Sequence, residues 1–146
     1  MSLNWAGNNH NYVPAYQQSG IPFVTSSLDN EVTAGAGDLV HIRFPFVTRW
    51  IQVVCTEQGN GFKMSFTANG ILAANLGAYS PTGSNMNYAV VDAGKSLGPI
   101  EVRCTDLYFQ GEGGASTVQV IAGLTNVPAD PLRRLLTGSN GFQGIG

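Results

Sequence analysis

The sequence predicts an all-β fold, a sandwich or barrel of antiparallel strands. Apolar residues recur at every second position through much of the stretch from Ile21 to Pro128. Gly, Asn and Pro turns divide that stretch at intervals of about ten residues, giving seven or eight strands. No amphipathic segment is long enough to serve as a crossover helix between parallel strands, so an antiparallel pair of sheets fits better than a βαβ architecture.

The elements follow in chain order. Gly20 to Thr25 is a short β-like stretch, and Pro22 restricts it to a strand start or a sheet edge. From Asp38 to Phe46, Val40, Ile42 and Phe44 fall on one side and Leu39, His41 and Arg43 on the other, with Pro45 implying an edge or a bend. From Thr48 to Thr56, Ile51, Val53 and Cys55 share one face, and Trp50, Gln52 and Val54 the opposite one. Gly59-Asn60-Gly61 reads as a hairpin turn. After it, Phe62, Met64 and Phe66 face in while Lys63, Ser65 and Thr67 face out. Asn69-Gly70 marks a turn, residues 71–79 are rich in small residues and ambiguous, and residues 80–85 form a loop. Tyr88 to Val91 is a strand that leaves through Ala93-Gly94. Ile100, Val102 and Cys104 alternate with Glu101, Arg103 and Thr105 in a strand that runs on to Phe109 and breaks at Gly111 to Gly114. Val118, Val120 and Ala122 face in along a last long strand.

One short helix is signalled at the C-terminal end. Asp130 caps it, Pro131 suits its first turn and Gly138 ends it, around Leu132 to Leu136. Two turns are marginal alone, so this helix must dock. The expected organisation is an N-terminal arm over residues 1–28, a β-domain over 29–128, and a short helix and tail over 129–146.

Composition narrows the function. The 146 residues are 43% hydrophobic but only 11% charged, less than half the usual share of about 25%. A low charge density removes much of what keeps copies of a protein apart. The net charge of -2 gives no electrostatic footprint for nucleic acid. No apolar run is long enough to span a membrane as a helix, and no basic-then-apolar secretion signal opens the chain. Cys55 and Cys104 fit no zinc spacing; a disulfide between them requires that the fold make them adjacent, and the alternation favours a buried, unpaired thiol at each.

Candidate chemistry is sparse. His10 and His41 are the only histidines, and neither has the nucleophile and orienting carboxylate of a catalytic arrangement at recognisable spacing. Asp29, Glu31 and Asp38 suit turns better than a calcium loop. Asp92, Glu101 and Asp106 lie on or near separate strands, and Gly35-Ala36-Gly37 and Gly111 to Gly114 are turns rather than phosphate loops. Trp50, Tyr88, Tyr108 and Phe109 suit core or interface packing, with a carbohydrate or base-stacking platform as the alternative. The expectation is no catalytic residue, no metal and no cofactor.

The strongest functional signal is the first 28 residues, which contain no Asp, Glu, Lys or Arg. They hold Trp5, Tyr12, Tyr16 and Phe23, separated largely by Asn and Gln. Such a segment is too apolar for a solvated disordered tail, and Pro14 and Pro22 forbid a continuous helix. Fully extended it reaches at most about 90 Å. Burying its apolar side chains does not by itself offset the entropy of ordering it, so it needs backbone partners, either on a neighbour's sheet edge or on its own domain. Trp5, Tyr12, Tyr16, Ile21 and Phe23, with Phe142 in the charge-free tail, are the candidate partner-binding residues.

The segment from Asn11 to Ser27, NYVPAYQQSGIPFVTSS, resembles the opening of small structural proteins of tailed bacteriophages, notably marine and cyanobacterial ones. Phe44-Pro45-Phe46-Val47-Thr48-Arg49 is similar to a second stretch of such proteins, so the resemblance covers about the first third of the chain. It implies a virion component: a capsid decoration (cement) protein, or a neck or fibre-base subunit, trimeric or otherwise cyclic. That family carries no catalytic residues. The combined expectation is an antiparallel β-sandwich of jelly-roll type that associates with itself and with the major capsid protein through its arm and sheet edges. A carbohydrate- or receptor-binding jelly-roll module, using aromatics such as Tyr79 and Tyr88, is the alternative.

Overall fold

A computed structural model describes residues 20–25, 28–32, 39–68, 70–71 and 88–131. They form nine strands: β1 (Ile21–Val24), β2 (Leu28–Val32), β3 (Val40–Arg43), β4 (Phe46–Cys55), β5 (Gly61–Ser65), β6 (Ala89–Val91), β7 (Ser96–Glu101), β8 (Asp106–Glu112) and β9 (Ser116–Pro128). Residues 129–131 are helical; the remainder of the expected C-terminal helix lies outside the described residues.

The strands build two antiparallel sheets. The first has the order β1-β9-β4-β7, with β2 also pairing β9, and the second has the order β3-β8-β5-β6. The pairings are nested. β5 pairs β6, β4 pairs β7, β3 pairs β8 and β1 pairs β9, as if one long hairpin had been folded over itself. The β4–β9 and β5–β8 ladders then join the nested pairs within each sheet.

Period-two alternation sets which side chains fill the space between the sheets. Ile51, Val53 and Cys55 of β4 meet Val118, Val120, Ala122 and Leu124 of β9 across the core from Ile42, Phe62, Met64, Leu107 and Phe109. The ring of Phe62 stands edge-on to Phe109, with centroids 5.6 Å apart and planes at 78°. Phe23 meets Phe44 in the same way, at 4.9 Å and 77°.

Three sequence expectations change at the corners. Gly59-Asn60-Gly61 is no hairpin turn, because β4 and β5 lie in different sheets. Gly61 crosses so close to β6 that a Cβ there would sit 2.5 Å from the Val91 carbonyl oxygen. Asn60 holds this corner to the β8–β9 corner: its Nδ2 donates to the Ala115 carbonyl at 3.2 Å, and its own carbonyl accepts from Ser116 Oγ at 3.0 Å. The expected single strand from Ile100 to Phe109 is two strands in two sheets, separated by residues 102–105. That crossing is bound to the start of β4. Thr48 Oγ1 donates to the Val102 carbonyl at 2.7 Å and accepts from the Cys104 N–H at 2.9 Å, and Thr48 N–H donates to the Cys104 carbonyl at 3.0 Å. Ser65, expected to face solvent, is buried and accepts from the Thr67 N–H at 3.3 Å.

The boundary between arm and domain also moves. The sheet begins at Ile21, inside the stretch read as arm, because β1 pairs with the chain's own β9 from Ile21↔Leu124 to Val24↔Ile121. Gly20 N–H extends the ladder to the Leu124 carbonyl at 3.0 Å, and Thr25 N–H to the Val120 carbonyl at 2.9 Å. Pro22 sits on an edge strand, where a missing N–H costs least.

Candidate functional site

Among the residues expected to bind a partner, Ile21 and Phe23 lie on β1 and turn inward, packing against the core of their own molecule. Trp5, Tyr12, Tyr16 and Phe142 lie outside the described residues. Within β1 the outward positions are the ones between, Pro22 and Val24; Val24 is 61% exposed.

Pro22 and Val24 open a continuous surface on the outer side of the first sheet. Register places Val24 beside Ile121, and Ile121 beside Gln52. The next row runs from Pro22 through Gly123 to Trp50 and on to Glu101; another joins Gln119 to Val54 and Ser96. Trp50, Gln52, Val54, Gln119 and Ile121 are all half-buried. The positions in these rows are uncharged except Glu101 on β7, which lies 3.7 Å from Arg49. Ten positions, each about 4.8 Å by 6.8 Å, give it a projected area of about 330 Å². Its apolar side chains, Pro22, Val24, Trp50, Val54 and Ile121, are interleaved with Gln52 and Gln119.

The outer side of the second sheet differs in chemistry. His41 Nε2 lies 2.7 Å from Asp106 Oδ1, and the imidazole stacks on Tyr108 with centroids 4.2 Å apart and planes at 9°. Arg43 Nε approaches the same carboxylate oxygen at 3.8 Å, and Thr105 Oγ1 donates to Asp106 Oδ2. Lys63 Nζ lies 5.2 Å from the Tyr88 ring centroid. These charged and polar–aromatic contacts contrast with the uncharged rows between Pro22 and Val54 on the first sheet.

The sheet edges are poor templates for an added strand. β1 carries Pro22, β2 meets β9 with a register break, β7 contains Gly98-Pro99, β3 is four residues with His41 and Arg43 exposed, and β6 is three residues. Short strands, prolines, irregularities and edge charges are the devices that discourage edge-to-edge pairing. The edges therefore offer little to an added strand.

The two thiols are unpaired and buried. Burial pushes the Cys104 thiol up to about 12 from an ordinary 9.0, with the Asp106 charge adding to the rise and the hydrogen bond with Thr48 opposing it. A thiol so held is protonated and a poor nucleophile. Below pH 9 the thiol is protonated in both folded and unfolded chains, so it contributes no pH dependence there. As pH rises from 9 towards 12 the unfolded chain loses this proton first, and stability falls by on the order of 1 kcal/mol per pH unit. Urea midpoints measured between about pH 8 and 10.5 should fall more steeply for the wild type than for Cys104→Ala; equal slopes would remove Cys104 from the alkaline response.

Among the described residues no group of three or more His, Cys, Asp or Glu is placed to hold a metal ion, and no helix is long and apolar enough to cross a membrane. In comparisons with known proteins, no protein-family model and no curated sequence matches the chain.

Proposed function

We propose that the chain is a non-enzymatic virion structural protein of a tailed bacteriophage: a capsid decoration (cement) subunit of jelly-roll form. It forms a homotrimer or other cyclic oligomer and binds neighbouring major capsid proteins. The nested pairing supports the jelly-roll reading. With β2 set aside, eight strands fall into two four-strand sheets as a hairpin wrapped over itself, the arrangement found in capsid and lectin domains. Fold alone carries no function. The observation that carries this reading is the neutral outer face of the first sheet, on a chain whose first 28 residues also lack Asp, Glu, Lys and Arg.

Contacts made by apolar burial rather than ion pairs are insensitive to salt. The protein should therefore co-sediment with capsids of the virus that encodes it in about 1 M NaCl, where exposed charge pairs are screened. Deleting residues 1–19, which leaves β1 in its sheet, should weaken that binding at least tenfold. Mass spectrometry of purified particles should detect the chain in a fixed ratio to the capsid subunit. Its absence from particles overturns the virion reading.

The polar–aromatic outer side of the second sheet favours the second reading, a carbohydrate- or receptor-binding module of a fibre or neck. Competable hits on a glycan array that vanish with Tyr108→Ala would select it.

A further inference from the structure

From the distribution of charge over the two sheets, we infer that the outer face of the β1-β9-β4-β7 sheet is the interface between copies of this chain. The inference rests on the self-association in the reading above and names the surface that performs it. Four observations converge on a second copy as the occupant.

The face is neutral across Pro22, Val24, Trp50, Val54 and Ile121, and the paired Glu101 and Arg49 lie at one margin. A charged partner finds nothing to select it there, whereas two neutral faces meet without desolvating an unpaired ion. The arrangement, an apolar centre with a charged pair at its rim, is that of a protein interface. Identical sheets also share one twist, so they stack face to face at about 10 Å in the way the two sheets of this molecule do. Finally, the edges are blunted and the other outer face carries His41, Arg43, Asp106 and Lys63, which leaves this face as the apolar route between copies.

The area sets the strength. A projected area of about 330 Å² is below the roughly 500 Å² per partner of a stable specific interface. Association through this face is thus weak and dissociates on dilution.

Sedimentation velocity and light scattering across micromolar concentrations test the inference. The wild type should show a mass of two or more 15.4 kDa chains. Val24→Glu should raise the dissociation constant at least tenfold while leaving the circular dichroism spectrum unchanged, because Val24 is already 61% exposed. Val90→Glu, equally conspicuous at 45% exposure but on the second sheet, should leave the oligomer intact. Should Val24→Glu not fold, Gln52→Lys places a charge in the same row. Both native cysteines are buried, so a cysteine introduced at position 24 also gives a selective site for a short bis-maleimide, which should link copies of the wild-type fold. A wild type monomeric at hundreds of micromolar, or an oligomer unaffected by charge at position 24 or 52, overturns the inference. The particle assay separates the two claims: a chain found on virions whose oligomer ignores Val24→Glu leaves the virion reading standing and removes this interface. A chain absent from virions whose oligomer dissociates with Val24→Glu does the reverse.

Discussion

Phe109→Ala is expected to lower the free energy of unfolding by about 3–5 kcal/mol, against a total of about 5–15 for a domain of ordinary stability. Phe109 is fully buried on the central strand of the second sheet, with β3 on one side and β5 on the other. Its ring fills the space between the sheets, and its removal leaves Phe62 without the edge contact at 5.6 Å. The strands on both sides are held by complete ladders, so the cavity cannot collapse by moving one of them, and the cost falls at the upper end of the range. Urea titration should show the midpoint fall without a change in slope. A loss below about 1 kcal/mol would mean that the centre of the core lies elsewhere.

Gly98→Ala is expected to cost about 3 kcal/mol or more, through backbone rather than packing. Gly98 has φ +100°, a conformation that L side chains rarely adopt. A Cβ there would also lie 2.8 Å from the Ile51 carbonyl oxygen and 2.9 Å from the Ile100 nitrogen, both main-chain atoms that no rotamer change can move. The clash falls where the β4–β7 register shifts between Ile51 and Val53, so the expected response is detachment of β7 from β4. Amide hydrogen exchange should report it as lost protection along β7 while β8 keeps its own. Uniform destabilisation with β7 protection intact would contradict this account.

Much of the fold was legible because period two is a direct record of a half-buried strand. Val40, Ile42 and Phe44, Ile51, Val53 and Cys55, and Val118, Val120 and Ala122 all face the core as their spacing requires. The same signal does not state which sheet a strand joins. The alternation from Ile100 through Cys104 continues across a change of sheet, and the Gly-Asn-Gly chemistry of a hairpin serves equally well for a corner between sheets. Ser65 has the parity of an outward residue yet is buried, since alternation reports a direction and not what lies over it. At the candidate site the limit was parity. Ile21 and Phe23 pack on the core of their own molecule, and Pro22 and Val24 are the ones displayed. The lateral grouping of Val24, Ile121, Gln52 and Trp50 depends on pairings between segments some 70–100 positions apart, which no local pattern encodes.

The nested pairing has a consequence in time. β9 is the last strand made, yet it is the shared neighbour of β1, β2 and β4. A nascent chain can close β5 on β6, and β4 on β7, while it is still emerging, but β1 has no ladder until residues 121–124 arrive. Contacts of such sequence separation form late and slowly. Ile121 and Gly123, which complete the neutral surface between Val24 and Trp50, appear only with that final strand. Whatever order the earlier strands close in, the surface between Val24 and Trp50 is therefore incomplete until residues 121–123 have been made.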